Sequence, residues 1–145
     1  MTRAQFVTVL GRLAGVDAKA SGKTGFADVP AEMYYAPYVN WAVENGITLG
    51  VTETAFLPDR AISRQEMAVF LDRFCAAEKI QLKEGKAPVF VDEAAIGDFA
   101  REAVAAVSAA GLLQGREDGS FAPTATAARA HVAALMARFI ESCGL

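Results

Sequence analysis

Residues 63–74 read SRQEMAVFLDRF. Ser63 with Glu66 is a capping box, in which hydroxyl and carboxylate each satisfy a backbone donor left free at a helix start. Met67, Phe70, Leu71 and Phe74 then recur at spacings of three and four, which puts them on one stripe of a helix of about four turns. The same pattern occurs twice more, as TRAQFVTVLGRL at 2–13 and ARAHVAALMARF at 128–139. Counting from Arg3, Arg64 and Arg129, the third residue on is Phe6, Met67 or Val132, and the sixth is Val9, Phe70 or Leu135. The seventh is Leu10, Leu71 or Met136, and the tenth is Leu13, Phe74 or Phe139. Arg12, Arg73 and Arg138 recur off that stripe. Three helices with one matching apolar stripe most simply pack together. The pattern therefore predicts an all-α fold of tandem helical repeats around a central three-helix bundle, with approximate threefold symmetry.

Outward from these helices, a segment recurs at a spacing of about 65 residues, at 26–79 and 90–145, while 1–16 matches only its closing helix. Phe26/Phe90 and Asp28/Asp92 share one offset; Gly46/Gly111, Gly50/Gly115, Phe56/Phe121, Pro58/Pro123 and Arg64/Arg129 share an offset one residue larger. A repeat of this length cannot bury its own apolar face and must stack on its neighbours, so 1–145 reads as a single repeat domain. Each full copy opens with a shorter helix. The first is expected at about 32–45 with Tyr35, Tyr38, Val39 and Ala42 on one side, and Pro37 in the opening turn. The second is expected at about 98–110 with Phe99, Ala103, Val107 and Ala110 inward. Each stops at a glycine, Gly46 or Gly111, suited to a left-handed cap. Loops 50–58 and 115–123 each carry a phenylalanine expected to plug back into the core. In the last copy Ala128 and His131 break the capping box, at a cost on the order of 1 kcal/mol, and Thr126 is the expected cap one turn earlier.

Composition limits the function. The chain has 145 residues, 53% of them hydrophobic, with 14 basic against 17 acidic side chains and a net charge of −3. A chain of this size buries roughly 68–70% of the surface its unfolded form exposes. The charge balance excludes nucleic acid as the favoured partner, since phosphate binding needs clustered excess Lys and Arg. No apolar run approaches the ~20 residues that cross a bilayer, so membrane insertion is not expected. The N-terminus lacks the pattern of a signal peptide, and the chain reads as a piece cut from a longer exported protein. Two cysteines, Cys75 and Cys143, and one histidine provide no metal pattern, and no cofactor is expected. The cysteines read as core or surface residues rather than a disulfide. His131 reads as a tolerated surface substitution rather than a catalytic group. With no paired carboxylates, nucleophile elbow or phosphate loop, an enzyme reading has no residues to rest on.

FADVPAEMYYAPYVNWAVENGI followed by GVTETAFLPDRAISRQEMAVFLDRF, and FVDEAAIGDFAREAVAAVSAAGL followed by GREDGSFAPTATAARAHVAALMARF, resemble S-layer homology repeats. The family pattern opens with Phe-x-Asp-Val, continues through a helix ending in Gly-Ile and a Gly-to-Phe-x-Pro loop, and closes with a helix headed by Ile-Thr-Arg-Ala-Glu. The resemblance covers nearly the whole chain. Ala128 and His131 depart from it, and the opening half of the first repeat is lacking. It implies a three-pronged helical module, here with one prong missing, that anchors an extracellular protein to the bacterial cell wall. The implied partner is secondary cell-wall polysaccharide attached to peptidoglycan, often bearing a pyruvate ketal, held in grooves between repeats. A structural assembly module that self-associates into a homo-oligomer, or docks to another surface protein, is the alternative.

A pyruvate ketal offers a carboxylate, and an arginine in the first turn of a helix pairs with it in a fork while free N–H groups and the helix dipole add attraction. Arg3, Arg64 and Arg129 are the candidates. Ion pairs from these arginines to Asp28 or Asp92 are the competing reading. Sugar rings stack their apolar faces on aromatics, which nominates Trp41, Tyr34 and Tyr35, with core packing as the alternative for each. Arg116, Asp118 and Gly119, in GREDGSF, match the family's ligand-contacting loop, whereas the first copy has Val51 and Glu53 in place of Arg116 and Asp118 and no glycine there. The two grooves are thus expected to differ in affinity, and a plain tight turn at Asp118-Gly119 is the simpler reading.

Overall fold

The computed structural model describes residues 1–145. The chain is all-helical and has no strand. Its elements are α1 (Arg3–Leu13), α2 (Ala36–Glu44), α3 (Arg64–Ala77), two 3₁₀ turns (Glu93–Ala95 and Asp98–Ala100), α4 (Arg101–Ala109) and α5 (Arg129–Cys143). These fall into two compact units, one of 2–61 and one of 62–145 joined by Met1.

In the first unit α1 packs on α2. Gly11 makes this approach close, because a Cβ there would sit 2.5 Å from Cδ1 of Tyr38. Tyr38, Val39 and Ala42 turn inward and are buried, as their spacing predicts. The helix begins four residues later than the sequence pattern predicts. Pro37 has no N–H to return to the carbonyl of Met33, so 30–36 folds as tight turns instead, with the Met33 N–H donating to Pro30 O and the Ala36 N–H to Met33 O. Gly46, at φ 69°, then ends the helix in the left-handed region.

In the second unit α3 packs on α4 and on the turn Asp98–Ala100, while Phe74 of α3 meets Phe139 of α5 edge to face at 5.9 Å. Ala103 and Val107 are buried, but Phe99 is 61% exposed and Ala100 fully buried. The expected inward place of Phe99 is therefore corrected. Residues 98–100 wind as a 3₁₀ turn at three residues per turn, which rotates the helix phase and brings Ala100 to the core side.

The capping boxes at Thr2/Gln5 and Ser63/Glu66 both form. Thr126 does not cap α5. It pairs with Ser63 in an isolated bridge, and the N-cap is Ala128, with no side-chain bond. Cys75 and Cys143 are free thiols. Phe56 and Phe121 are fully buried as expected, each worth about 1.5–3 kcal/mol of transfer free energy.

Candidate functional site

Each unit holds the same assembly of a helix head against a loop. At α1, the N–H groups of Arg3 and Ala4 donate to the carbonyls of Arg60 and Pro58 at 2.9 and 3.0 Å. At α3, those of Arg64 and Gln65 donate to Ala125 and Pro123 at 2.9 and 3.0 Å. The third N–H of each helix goes to its capping hydroxyl. The free N–H groups expected to greet an anion at these two heads are therefore already occupied by loop carbonyls. At α5 no loop carbonyl meets the first N–H groups.

The arginine side chains extend the same contact. Arg3 Nε donates to Phe56 O at 2.9 Å and its guanidinium lies 4.8 Å from the Phe56 ring centroid. Arg64 Nε donates to Phe121 O at 2.7 Å, and its guanidinium lies 5.0 Å from the Phe121 ring centroid. Each arginine thus holds the buried phenylalanine by both its carbonyl and its ring face. The two differ in exposure. Arg3 is 3% exposed, whereas Arg64 is half-buried. Arg64 also donates from Nη2 to Gln114 O at 2.7 Å, and its Nη1 has no protein partner. Burial lowers its pKa below the ordinary guanidinium range, the neighbouring Arg116 adds to that, and Asp92 opposes it.

Asp28 and Asp92 carry a role that the sequence reading missed. Asp28 accepts the N–H of Phe56 at 2.9 Å and of Leu57 at 2.8 Å, one on each oxygen. Asp92 accepts those of Phe121 and Ala122 in the same way, both at 2.8 Å. These bonds, the one from Phe121 foremost, hold the Asp92 carboxyl below its ordinary pKa. Leu57 and Ala122 have φ of 56° and 54°, a left-handed conformation unfavourable for residues with a Cβ. The carboxylate fork holds the loop through that turn. The shared offset of Phe26/Phe90 and Asp28/Asp92 was the available signal, but a carboxylate clamping backbone donors has no spacing of its own.

Around Arg64 a cavity of about 160 Å³ opens, lined by Arg64, Met67, Leu113, Gln114, His131 and Arg138 together with Ala134 and Leu135 of α5. Neither Arg116 nor Asp118 lines it, although Arg116 is close enough to act on Arg64 electrostatically. Asp118 Oδ1 accepts from the Ser120 N–H and hydroxyl at 2.9 and 2.6 Å, which lowers its pKa, and Gly119 has φ 83°. The Gly119 N–H donates to Arg116 O, so GREDGSF is a closed turn. Arg129 is exposed at the start of α5 and Tyr34 is 55% exposed ahead of α2. The Tyr34 ring meets that of buried Tyr35 edge to face at 5.2 Å, and Trp41 is half-buried on α2. His131 and Arg138 were not among the expected ligand contacts. Their spacing of seven, which aligns two side chains on one helix face, was the signal that would have found them.

Known proteins are similar to this chain in sequence. Residues 25–68 and 89–133 match the S-layer homology domain. An amylopullulanase of Thermoanaerobacterium thermosulfurigenes is 34% identical over 99% of the chain, which spans 8% of that protein. A cellulosome-anchoring protein of Acetivibrio thermocellus is 28% identical over 97% of the chain, spanning 32% of its length. The surface-layer 125 kDa protein of Lysinibacillus sphaericus is 28% identical over 98%, spanning 12%. The chain thus spans under a third of each of these relatives. The two matched stretches each carry the Phe-x-Asp clamp and the loop it holds, and together they make up more than half of the residues, so the chain belongs to the S-layer homology domain family.

Proposed function

We propose that this chain is a non-catalytic module that tethers a larger extracellular protein to the bacterial cell wall by gripping an acidic, pyruvylated secondary wall polysaccharide. The observation that carries the reading is the cavity at Arg64, where a half-buried guanidinium keeps Nη1 unengaged beside a second arginine. A fixed guanidinium with spare N–H donors suits a carboxylate, and its partial burial strengthens the pair over one in bulk water. The cavity is below the roughly 300–1,000 Å³ of drug-sized sites, so it suits a single sugar unit of a longer polymer.

Family membership supports the tether in a second way. Relatives named as a surface-layer protein and as a cellulosome-anchoring protein match the same stretch as relatives named as enzymes, and the chain spans only a minor part of each. What they share is then a module that serves several parent proteins. No helix of the chain is long and apolar enough to cross a membrane. Arg116, close enough to act on Arg64 electrostatically, and Asp118 and Gly119 of the same loop are proposed contacts for the polymer outside the cavity itself. Arg129, Tyr34 and Trp41 are proposed contacts for further units of the glycan, whereas Arg3, 3% exposed and committed to the carbonyl and ring of Phe56, is proposed to hold the loop rather than the ligand.

Co-sedimentation with two wall preparations tests the reading, one retaining its secondary polymer and one chemically stripped of it. Pelleting with the first alone is the expected result. Equal pelleting with both, or with neither, overturns the polysaccharide assignment.

A further inference from the structure

The head of α5 departs from its two counterparts at two residues, and the departures have one joint consequence. In α1 and α3 the residue three places into the helix spends its side chain on the cap: Gln5 Oε1 accepts from Thr2 N at 2.9 Å, and Glu66 Oε1 accepts from the Ser63 hydroxyl at 2.9 Å. At α5 the N-cap is Ala128, which has no hydroxyl, and the side chain at the equivalent place makes no capping bond. That side chain is His131, and it lines the cavity at Arg64 together with Arg138, two turns further along the same face of α5. Loss of the box thus frees a titratable ring from capping duty. It also puts a potential cation where a glutamate would set a negative charge against the incoming ligand.

We propose that His131 and Arg138 complete an anion subsite with Arg64, and that protonation of His131 tightens its grip on an acidic sugar. The proposal rests on the polysaccharide reading above. Imidazole is the side chain whose charge changes between pH ~5 and 8. The charged groups facing it are Arg64 from α3 and Arg138 from α5, with Asp92, just ahead of the 3₁₀ turn Glu93–Ala95, and Arg116, in the loop after α4, acting on Arg64. A bound carboxylate favours the imidazolium, so binding takes up a proton, and affinity is highest at acidic pH and declines as pH rises. Carboxylates of sugar acids stay ionised over the same interval, as ordinary carboxyl groups titrate near pH 4.

Because His131 is the sole histidine, its ring signals in an NMR spectrum need no assignment. The test titrates the chain with soluble polysaccharide released from the wall, at pH about 7.5 and about 5.5, for the wild type, His131→Gln and His131→Arg. The wild type is expected to bind about two- to fivefold tighter at the lower pH, the gain of a partly exposed ion pair. His131→Gln is expected to be flat and weak, and His131→Arg flat and tight. The imidazole titration should move to higher pH when polysaccharide is added. The Met1 amine, bonded to Ala127 O at 3.0 Å, is present in all three proteins, so pH dependence that persists in His131→Gln overturns the role of the imidazole. Equal affinity of the wild type at both pH values also overturns it while leaving the anchoring reading intact. Absence of binding at either pH overturns both.

Discussion

Asp92 shows how much of the loop rests on one side chain. Its two oxygens take consecutive N–H groups at 2.8 Å each, across a residue held at positive φ. Its pKa is lowered in the folded state, so the stabilisation is fully present above the unfolded carboxyl value near 4 and is lost as pH falls through the lower folded value. Asp92→Asn keeps one acceptor but turns an amide NH₂ toward the other donor. It is expected to cost on the order of 1–3 kcal/mol at neutral pH and to flatten the acid limb of stability, both measurable by urea unfolding at stepped pH. An unchanged midpoint would show that the fork is incidental. Cys75 makes a second prediction at this scale. Burial, with Cys143 and Asp72 adding to it, pushes its thiol up to about 12, so it stays protonated at neutral pH. Alkylation should reach Cys143 first and Cys75 only when the chain unfolds, which mass-resolved labelling would check. The Phe-x-Asp spacing was readable in the sequence, and so was the burial of Phe56 and Phe121. That the aspartates bind backbone rather than arginine was not, because a backbone donor leaves no mark on sequence.

The helices illustrate where pattern suffices. In α3 and α5 the stripe residues Met67, Phe70, Leu71 and Phe74, and Val132, Leu135, Met136 and Phe139, are all buried, and both complete capping boxes form as read. Short helices were harder. Pro37 delayed the start of α2, and a 3₁₀ turn changed the phase of the residues before α4, because one or two turns carry too little periodicity to fix a boundary. The head of α5 is the weak element: Ala128 offers no hydroxyl, and the His131 N–H bends back to the Ala128 carbonyl at 3.0 Å. Ala128→Ser gives that N–H the acceptor that Thr2 and Ser63 supply in the other copies. The expected gain is about 0.5–2 kcal/mol, seen as a higher Tm and as slower hydrogen exchange in the first turn of α5. If exchange there stays as fast as in the parent, the missing hydroxyl is not what loosens the helix start.

At the scale of the molecule, the working assembly does not coincide with the copy seen in the sequence. Arg3 precedes the first full copy yet holds Phe56 within it, and Arg64 belongs to the first copy yet holds Phe121 of the second. Sequence similarity locates copies, whereas the loop that seats on a given helix head is a tertiary choice, so only the members of each contact were legible. The whole chain also sets up an opposition of charge. It carries −3 overall, which would repel the proposed acidic glycan at long range, while the cations gathered at the Arg64 cavity would attract it at contact. The Debye length falls from about 10 Å at 0.1 M salt to about 3 Å at 1 M, so added salt relieves both effects. If net charge dominated, salt would strengthen binding to the wall. Contact should win, because a pair a few ångströms apart at a half-buried arginine outweighs a small net charge spread over the whole surface. Wall binding is therefore expected to weaken steadily as salt rises, and Arg64→Ala to lose about tenfold or more in apparent affinity, since a polymer engaging several places forfeits avidity with each one removed. Arg64 also holds Phe121 O and Gln114 O, so Arg64→Lys serves beside it: lysine keeps the charge but not the planar fork. Pelleting assays across a salt series, with a thermal melt of each variant, separate loss of fold from loss of grip. Retention that rises with salt, or that is the same in wild type and a folded Arg64→Ala, would rule out a carboxylate held at this arginine.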